Sequence, residues 1–120
     1  MKPTNKADFK RVLRATHYSM KGLKAAYINE AAFRQEMWCA IILFPLALIL
    51  GDTNIEKALL VGTIFIVLIT ELLNSAVESV VDRIGSDFHE LSGRAKDIGS
   101  AAVFMSMMLL AITWILVLFF

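Results

Sequence analysis

Glu71, Asn74, Glu78 and Asp82 place three carboxylates and an amide in a stretch otherwise apolar enough for a membrane helix. At about 100° per residue, their spacing confines them to an arc of roughly 80°, so a helix would carry them as one polar stripe. With a rise of about 1.5 Å per residue the stripe is roughly 16 Å long. Lipid cannot solvate it, and it must face protein, water or a bound ion. Carboxylates in such a setting hold a divalent cation or accept a proton.

The elements that carry the stripe follow from hydropathy. The chain has 120 residues, of which 58% are hydrophobic, and its mean hydropathy is +0.65, too apolar for an ordinary soluble domain. The first apolar run, Met37 to Leu50, is short of the roughly 20 residues needed to cross a bilayer. Extending it back through Phe33 gives a membrane helix over 30–50, with Glu30, Arg34, Gln35 and Glu36 near its boundary. Pro45 removes a backbone hydrogen bond inside it and predicts a kink or local break near Ile41. After a polar turn at Gly51–Asn54, an uncharged run from Ala58 to Thr70 continues in register into the stripe and predicts a second span over 55–83. Gly85-Ser86-Asp87 ends that helix. Phe88 to Gly99 reads as a short polar connection, and Ala101 to Phe120, free of charge, predicts a third span over 99–120.

Gly99, Ala102 and Ser106 at helical spacing suit close helix packing or a lipid-facing stripe. Trp38 and Trp114 suit interfacial positions. Residues 1–29 carry seven basic side chains against the single acid Asp8, with Phe9, Val12, Leu13, Leu23, Tyr27 and Ile28 between them. This is either a basic amphipathic surface helix or a solvated helical leader. The fold class is therefore an all-α membrane protein with three transmembrane helices and an N-terminal amphipathic surface helix, forming a single domain. The lone Cys39 excludes an internal disulfide, and its apolar neighbours predict a buried, silent thiol. No cleavable signal peptide is expected.

Positive residues set the orientation. Eight lie ahead of the first apolar run, Arg34 at the N-terminal boundary of the first span included, one (Lys57) lies in the first loop, and three (Arg83, Arg94, Lys96) lie in the second, which predicts a cytoplasmic N-terminus and second loop. Glu71 is then the deepest carboxylate and Asp82 the shallowest. Glu78 and Glu30 both fall near the cytosolic boundary, where two carboxylates suit Mg²⁺ completed by phosphate oxygens and water. Lys96 and Arg94 suit neutralisation of an anionic substrate or contact with lipid headgroups. Glu71, poorly solvated, suits a proton acceptor; a protonated packing residue is the alternative. Neither Gly-x-x-x-x-Gly-Lys-Ser/Thr nor Gly-x-Gly-x-x-Gly occurs, and no His or Cys cluster has metal-ligand spacing.

Glu71-x-Leu73-Asn74-Ser75-Ala76-Val77-Glu78-x-x-Val81-Asp82 resembles the signature of the prokaryotic integral-membrane diacylglycerol kinases. Asn29-Glu30-Ala31-Ala32-Phe33-Arg34-Gln35-Glu36 reinforces it, as do Asp82-Arg83-Ile84-Gly85-Ser86 and His89-Glu90-Leu91-Ser92-Gly93-Arg94-Ala95-Lys96-Asp97. The resemblance covers essentially the whole chain. The segment from Glu30 to Glu36 looks more like the Gram-negative diacylglycerol branch than the undecaprenol kinase branch.

The resemblance implies a homotrimer in a bacterial cytoplasmic (inner) membrane, with active sites shared between protomers. It also implies transfer of the ATP γ-phosphate to the primary hydroxyl of diacylglycerol, giving phosphatidic acid. By matching positions it makes Glu71 the proton acceptor and Glu30 and Glu78 the residues holding Mg²⁺ on ATP. Arg11, Tyr18, Asp87, His89, Lys96 and Asp97 would surround the nucleotide, while Ser19, Arg34, Glu36, Asn74, Ser100 and Trp114 would line the lipid substrate or support the site. His17 stands where the family pattern leads one to expect a small residue.

Three other readings compete. Undecaprenol kinase presents a lipid hydroxyl at the same depth. An oligomeric proton or cation pathway would use Glu71 and Glu78 as a relay, but Ala58 to Ile69 offers only Thr63 to continue it. A membrane scaffold leaves the stripe unexplained, and nothing in the sequence points to nucleic acid.

Overall fold

A computed structural model describes residues 6–85, 87 and 89–120. Ser86, Phe88 and the start of the basic leader, including Lys2, lie outside the described residues. The chain forms α1 (Phe9–Asn29), α2 (Ala31–Leu50), α3 (Asn54–Ile84) and α4 (Glu90–Phe119). The last three are long and apolar enough to cross a membrane.

Local chemistry fixes the ends of these helices. Asp8 caps α1, accepting from the Arg11 amide at 2.9 Å. Glu30 is extended (φ −117°, ψ 106°) and separates α1 from α2. Arg34, one turn into α2, reaches back and donates through Nη1 to the carbonyls of Tyr27 and Ile28 at 2.9 and 2.8 Å, satisfying acceptors that the end of α1 leaves open. Trp38 Nε1 donates to the Tyr27 hydroxyl at 3.1 Å, a second tie across the same corner. Between α2 and α3, a Cβ on the buried Gly51 would lie 2.7 Å from Lys57 Cγ and 3.0 Å from the Ala47 carbonyl oxygen. The tight turn therefore requires glycine there. Thr53 then caps α3, accepting from the Glu56 amide at 3.1 Å.

Helix α3 is the axis of the protomer. It packs against α2 and α4, and it carries most of the buried residues, from Leu60 through Thr63, Ile64 and Val67 to Glu71 and Ser75. Leu60, Ile64 and Ala47 form a small core flanked by Leu43, Leu110 and Trp114. Most other large apolar side chains remain exposed on the protomer, as expected of helices whose outer faces meet lipid or other protein. The buried Thr63 hydroxyl is satisfied on both sides: its Oγ1 donates to the Leu60 carbonyl at 2.9 Å and accepts from Trp114 Nε1 at 3.1 Å.

Several expectations change. Pro45 lies inside a continuous α2, which removes the alternative of a local break near Ile41. The segment read as a polar connection up to Gly99 is, from Glu90 onward, the first part of α4: His89 Nδ1 accepts from the Leu91 amide at 3.1 Å, and a Glu90–Arg94 pair at 3.5 Å supports the first turn. Cys39 is exposed, because the inward line of α2 passes through Phe33, Ala40, Leu43 and Ala47 beside it. Trp114 donates its indole N–H to the buried Thr63 hydroxyl.

Helix lengths determine where the polar residues stand. The 31 residues of α3 span about 46 Å and the 30 of α4 about 45 Å, against a hydrocarbon thickness of roughly 30 Å. The excess gathers at one end, where the polar C-terminal part of α3 lies antiparallel to the polar N-terminal part of α4.

Candidate active site

The stripe on α3 is built as its spacing predicts, with exposure graded along it. Glu71 is buried, at 5% exposure; Asn74 and Glu78 are half-buried; Asp82 is exposed. Asn74 links the first two acids. Its Nδ2 donates to Glu71 Oε2 at 3.4 Å and to Glu78 Oε1 at 3.3 Å, both long hydrogen bonds. One amide nitrogen thus offsets part of the repulsion between two carboxylates two helical turns apart.

Other acids close around this ladder. Glu36, from the second turn of α2, lies within electrostatic reach of Glu71, and so does Glu30 at the α1–α2 break. Glu36 Oε2 is buried without a hydrogen-bond partner, which marks it as an acceptor awaiting a donor. Glu30 also lines a cleft of about 540 Å³ between α1 and α3, together with Ser19, Asn29, Ser75 and Ser79. At the exposed end, Lys96 Nζ of α4 meets Asp82 Oδ1 at 2.7 Å, and Glu78 lies within electrostatic reach of the same ammonium. Lys96 and Asp82 share a second, polar cleft of about 220 Å³ with Gly85, Asp87, His89 and Ser92.

The fold therefore gathers Glu30, Glu36, Glu71, Asn74 and Glu78 around the middle of the stripe, and Asp87, His89 and Lys96 around its outer end. Arg34 stays beside this group but uses Nη1 to cap α1. Arg11 and Tyr18 are exposed on α1, with Tyr18 against His17 (ring centroids 6.1 Å apart). Asp97 and Ser100 are exposed on α4. Trp114 stands apart: its partner Thr63 precedes Glu71 by eight residues, about 12 Å along α3.

Among the described residues, no three His, Cys, Asp or Glu side chains converge as a ready-made metal cage. Of the acids near the stripe, Glu30 lines the larger cleft, and Asp82 and Asp87 line the smaller one.

The sequence placed Ser19 at the site but not Ser75 and Ser79, which line the larger cleft with it, nor the Lys96–Asp82 pair.

Comparison with known proteins adds an independent line. The sequence pattern of the family described as prokaryotic diacylglycerol kinase matches residues 17–118. A diacylglycerol kinase of Haemophilus influenzae is 53% identical over 109 residues, covering 91% of this chain and 92% of that protein. The diacylglycerol kinase of Escherichia coli K12 is 51% identical over 114 residues, covering 95% and 93%. That of Pseudomonas aeruginosa is 46% identical over 105 residues, covering 88% and 85%.

Proposed function

The chain belongs to the prokaryotic diacylglycerol kinase family, and from that premise we propose that it transfers the γ-phosphoryl group of ATP to the primary hydroxyl of diacylglycerol, producing phosphatidic acid at the cytoplasmic face of the inner membrane. The observation that carries this reading is the graded ladder on α3. A buried acid, Glu71, sits at the membrane end and a half-exposed acid, Glu78, one hydrogen-bonded step outward, with Lys96 beyond. A lipid hydroxyl approaches such a ladder from the hydrocarbon side and a nucleotide from the water side, so the two reactants meet between Glu71 and Glu78.

Each part has a physical task. Glu71 accepts the hydroxyl proton as the oxygen attacks phosphorus. Glu30 and Glu78 are the residues that would hold Mg²⁺, which would supply positive charge to neutralise the nucleotide phosphates. Lys96, released from Asp82, places a point charge on phosphate, and Asp87, His89 and Asp97 surround the nucleotide with Arg11 and Tyr18. Ser19, Arg34, Glu36, Asn74, Ser100 and Trp114 accompany the lipid or support the site. Helix α1 lies on the membrane surface: its exposed Phe9, Val12, Leu13, Met20 and Leu23 enter the interface while its lysines and arginines remain outside.

The direct test is ATP consumption by purified protein in mixed micelles containing diacylglycerol, or undecaprenol in parallel. Diacylglycerol-dependent formation of phosphatidic acid is expected. Turnover with undecaprenol alone would reassign the substrate, and none with either would reject the kinase reading.

The protein works as a homotrimer with sites shared between protomers, a reading supported by the apolar faces each protomer leaves uncovered. One protomer already brings Glu30 within electrostatic reach of Glu71, so activity regained by mixed assemblies of a Glu30→Gln chain and a Glu71→Gln chain, each inactive alone, would show that a working site takes the two acids from different chains. Verified mixed oligomers without activity would confine each site to one protomer.

A further inference from the structure

Gly99 lies on α4 directly opposite Asn74. A Cβ added there would collide with Asn74 Oδ1 and lie 3.2 Å from its Cγ. The helical glycines Gly22, Gly62 and Gly93 differ, since a Cβ at any of them would find nothing within 4 Å. Glycine is costly inside a helix, so its presence at the one close crossing has a structural return. That return is the seat of the Asn74 amide. Oδ1 is buried with no hydrogen-bond partner, pressed toward the α4 backbone, while Nδ2 reaches Glu71 on one side and Glu78 on the other. Turning the amide over would present its oxygen to two carboxylates, so only this orientation is attractive.

We propose that Gly99 is a positioning residue of the kinase site: lacking a side chain, it lets Asn74 lie against the α4 backbone, the placement from which the amide nitrogen spans Glu71 and Glu78. This rests on the lipid kinase reading above. A methyl group at 99 drives the amide off its seat, and the two acids lose their common donor. Misplacement of a reacting group by about 1 Å is enough to cost on the order of 10²-fold in rate.

The test is a double-mutant cycle between Gly99→Ala and Asn74→Ala in purified protein, with Gly62→Ala as a helical-glycine control. Lipid phosphorylation and the side-chain amide signal of ¹⁵N-labelled Asn74 are both measured. Gly99→Ala should fold, slow turnover by about 10²-fold and shift the Asn74 amide signal, whereas Gly62→Ala leaves both unchanged. On the Asn74→Ala background, Gly99→Ala should slow the reaction no further, because the group it displaces is already absent. Wild-type turnover by Gly99→Ala, an unmoved Asn74 signal, or losses that multiply in the double variant would each overturn the proposal. If Gly99→Ala alone does not fold, the double variant should, since the collision is gone; failure of both would place the conflict elsewhere and reject it. Wild-type protein without lipid kinase activity would reject the parent reading instead, and the Asn74 signal would still decide whether Gly99 seats the amide. That signal also decides if Asn74→Ala turnover falls below detection.

Discussion

Glu78→Gln is expected to abolish nearly all lipid phosphorylation while leaving the protein folded. Glutamine keeps roughly the volume of glutamate, and its carbonyl oxygen can still accept from Asn74 Nδ2, as Glu78 Oε1 does at 3.3 Å. What disappears is the charge. A neutral amide is a poor partner for Mg²⁺ and no longer draws the cation toward the nucleotide phosphates. Charge stabilisation worth several kcal/mol corresponds to at least about 10²-fold in rate. Activity measured across a series of Mg²⁺ concentrations should recover only partly at the high end, because added cation restores occupancy without restoring the anionic ligand. A folded Glu78→Gln protein with ordinary turnover at ordinary Mg²⁺ would remove Glu78 from the metal site, and Glu30→Gln should follow the same pattern if both carboxylates serve one ion.

How far the sequence discloses this site depends on the range of the interaction concerned. The α3 stripe is legible because it is local: Glu71, Asn74 and Glu78 share a face by helical periodicity alone, and the structure converts that face into two hydrogen bonds. The boundary between residues 29 and 30 is legible as the change from a basic to an apolar segment, but its stabilisation is not: Arg34 reaches back to Tyr27 and Ile28, a contact between two helices. Hydropathy also misjudged the start of α4. A polar segment beside a membrane span reads as loop when water is its only partner, but Lys96 meets Asp82 and Gly99 receives Asn74, so α3 acts as a template for another two turns of helix. Pro45 shows the converse: its local cost is real, and an unbroken α2 accommodates it, with Ala47 buried against Leu60 and Ile64. The grouping of Glu36 with Glu71 needed three dimensions, since helix packing alone decides which face of α2 meets the stripe.

Glu71→Gln is the substitution that separates chemistry from binding. Glu71 is the most buried acid of the stripe and the one farthest along it from Lys96, so its loss should leave the nucleotide end undisturbed. A glutamine fits the same space and its carbonyl can accept from Asn74, which preserves the packing of α3 against α4. It cannot accept the proton of a lipid hydroxyl. General-base catalysis is typically worth about 10² to 10⁴ in rate, and turnover should fall by that order while ATP affinity changes little. ATP affinity and single-turnover phosphorylation measured on one folded variant distinguish the roles. A slow chemical step with intact affinity is the expected result; lost affinity with an unchanged chemical step would make Glu71 part of the nucleotide site and leave the lipid hydroxyl without its base.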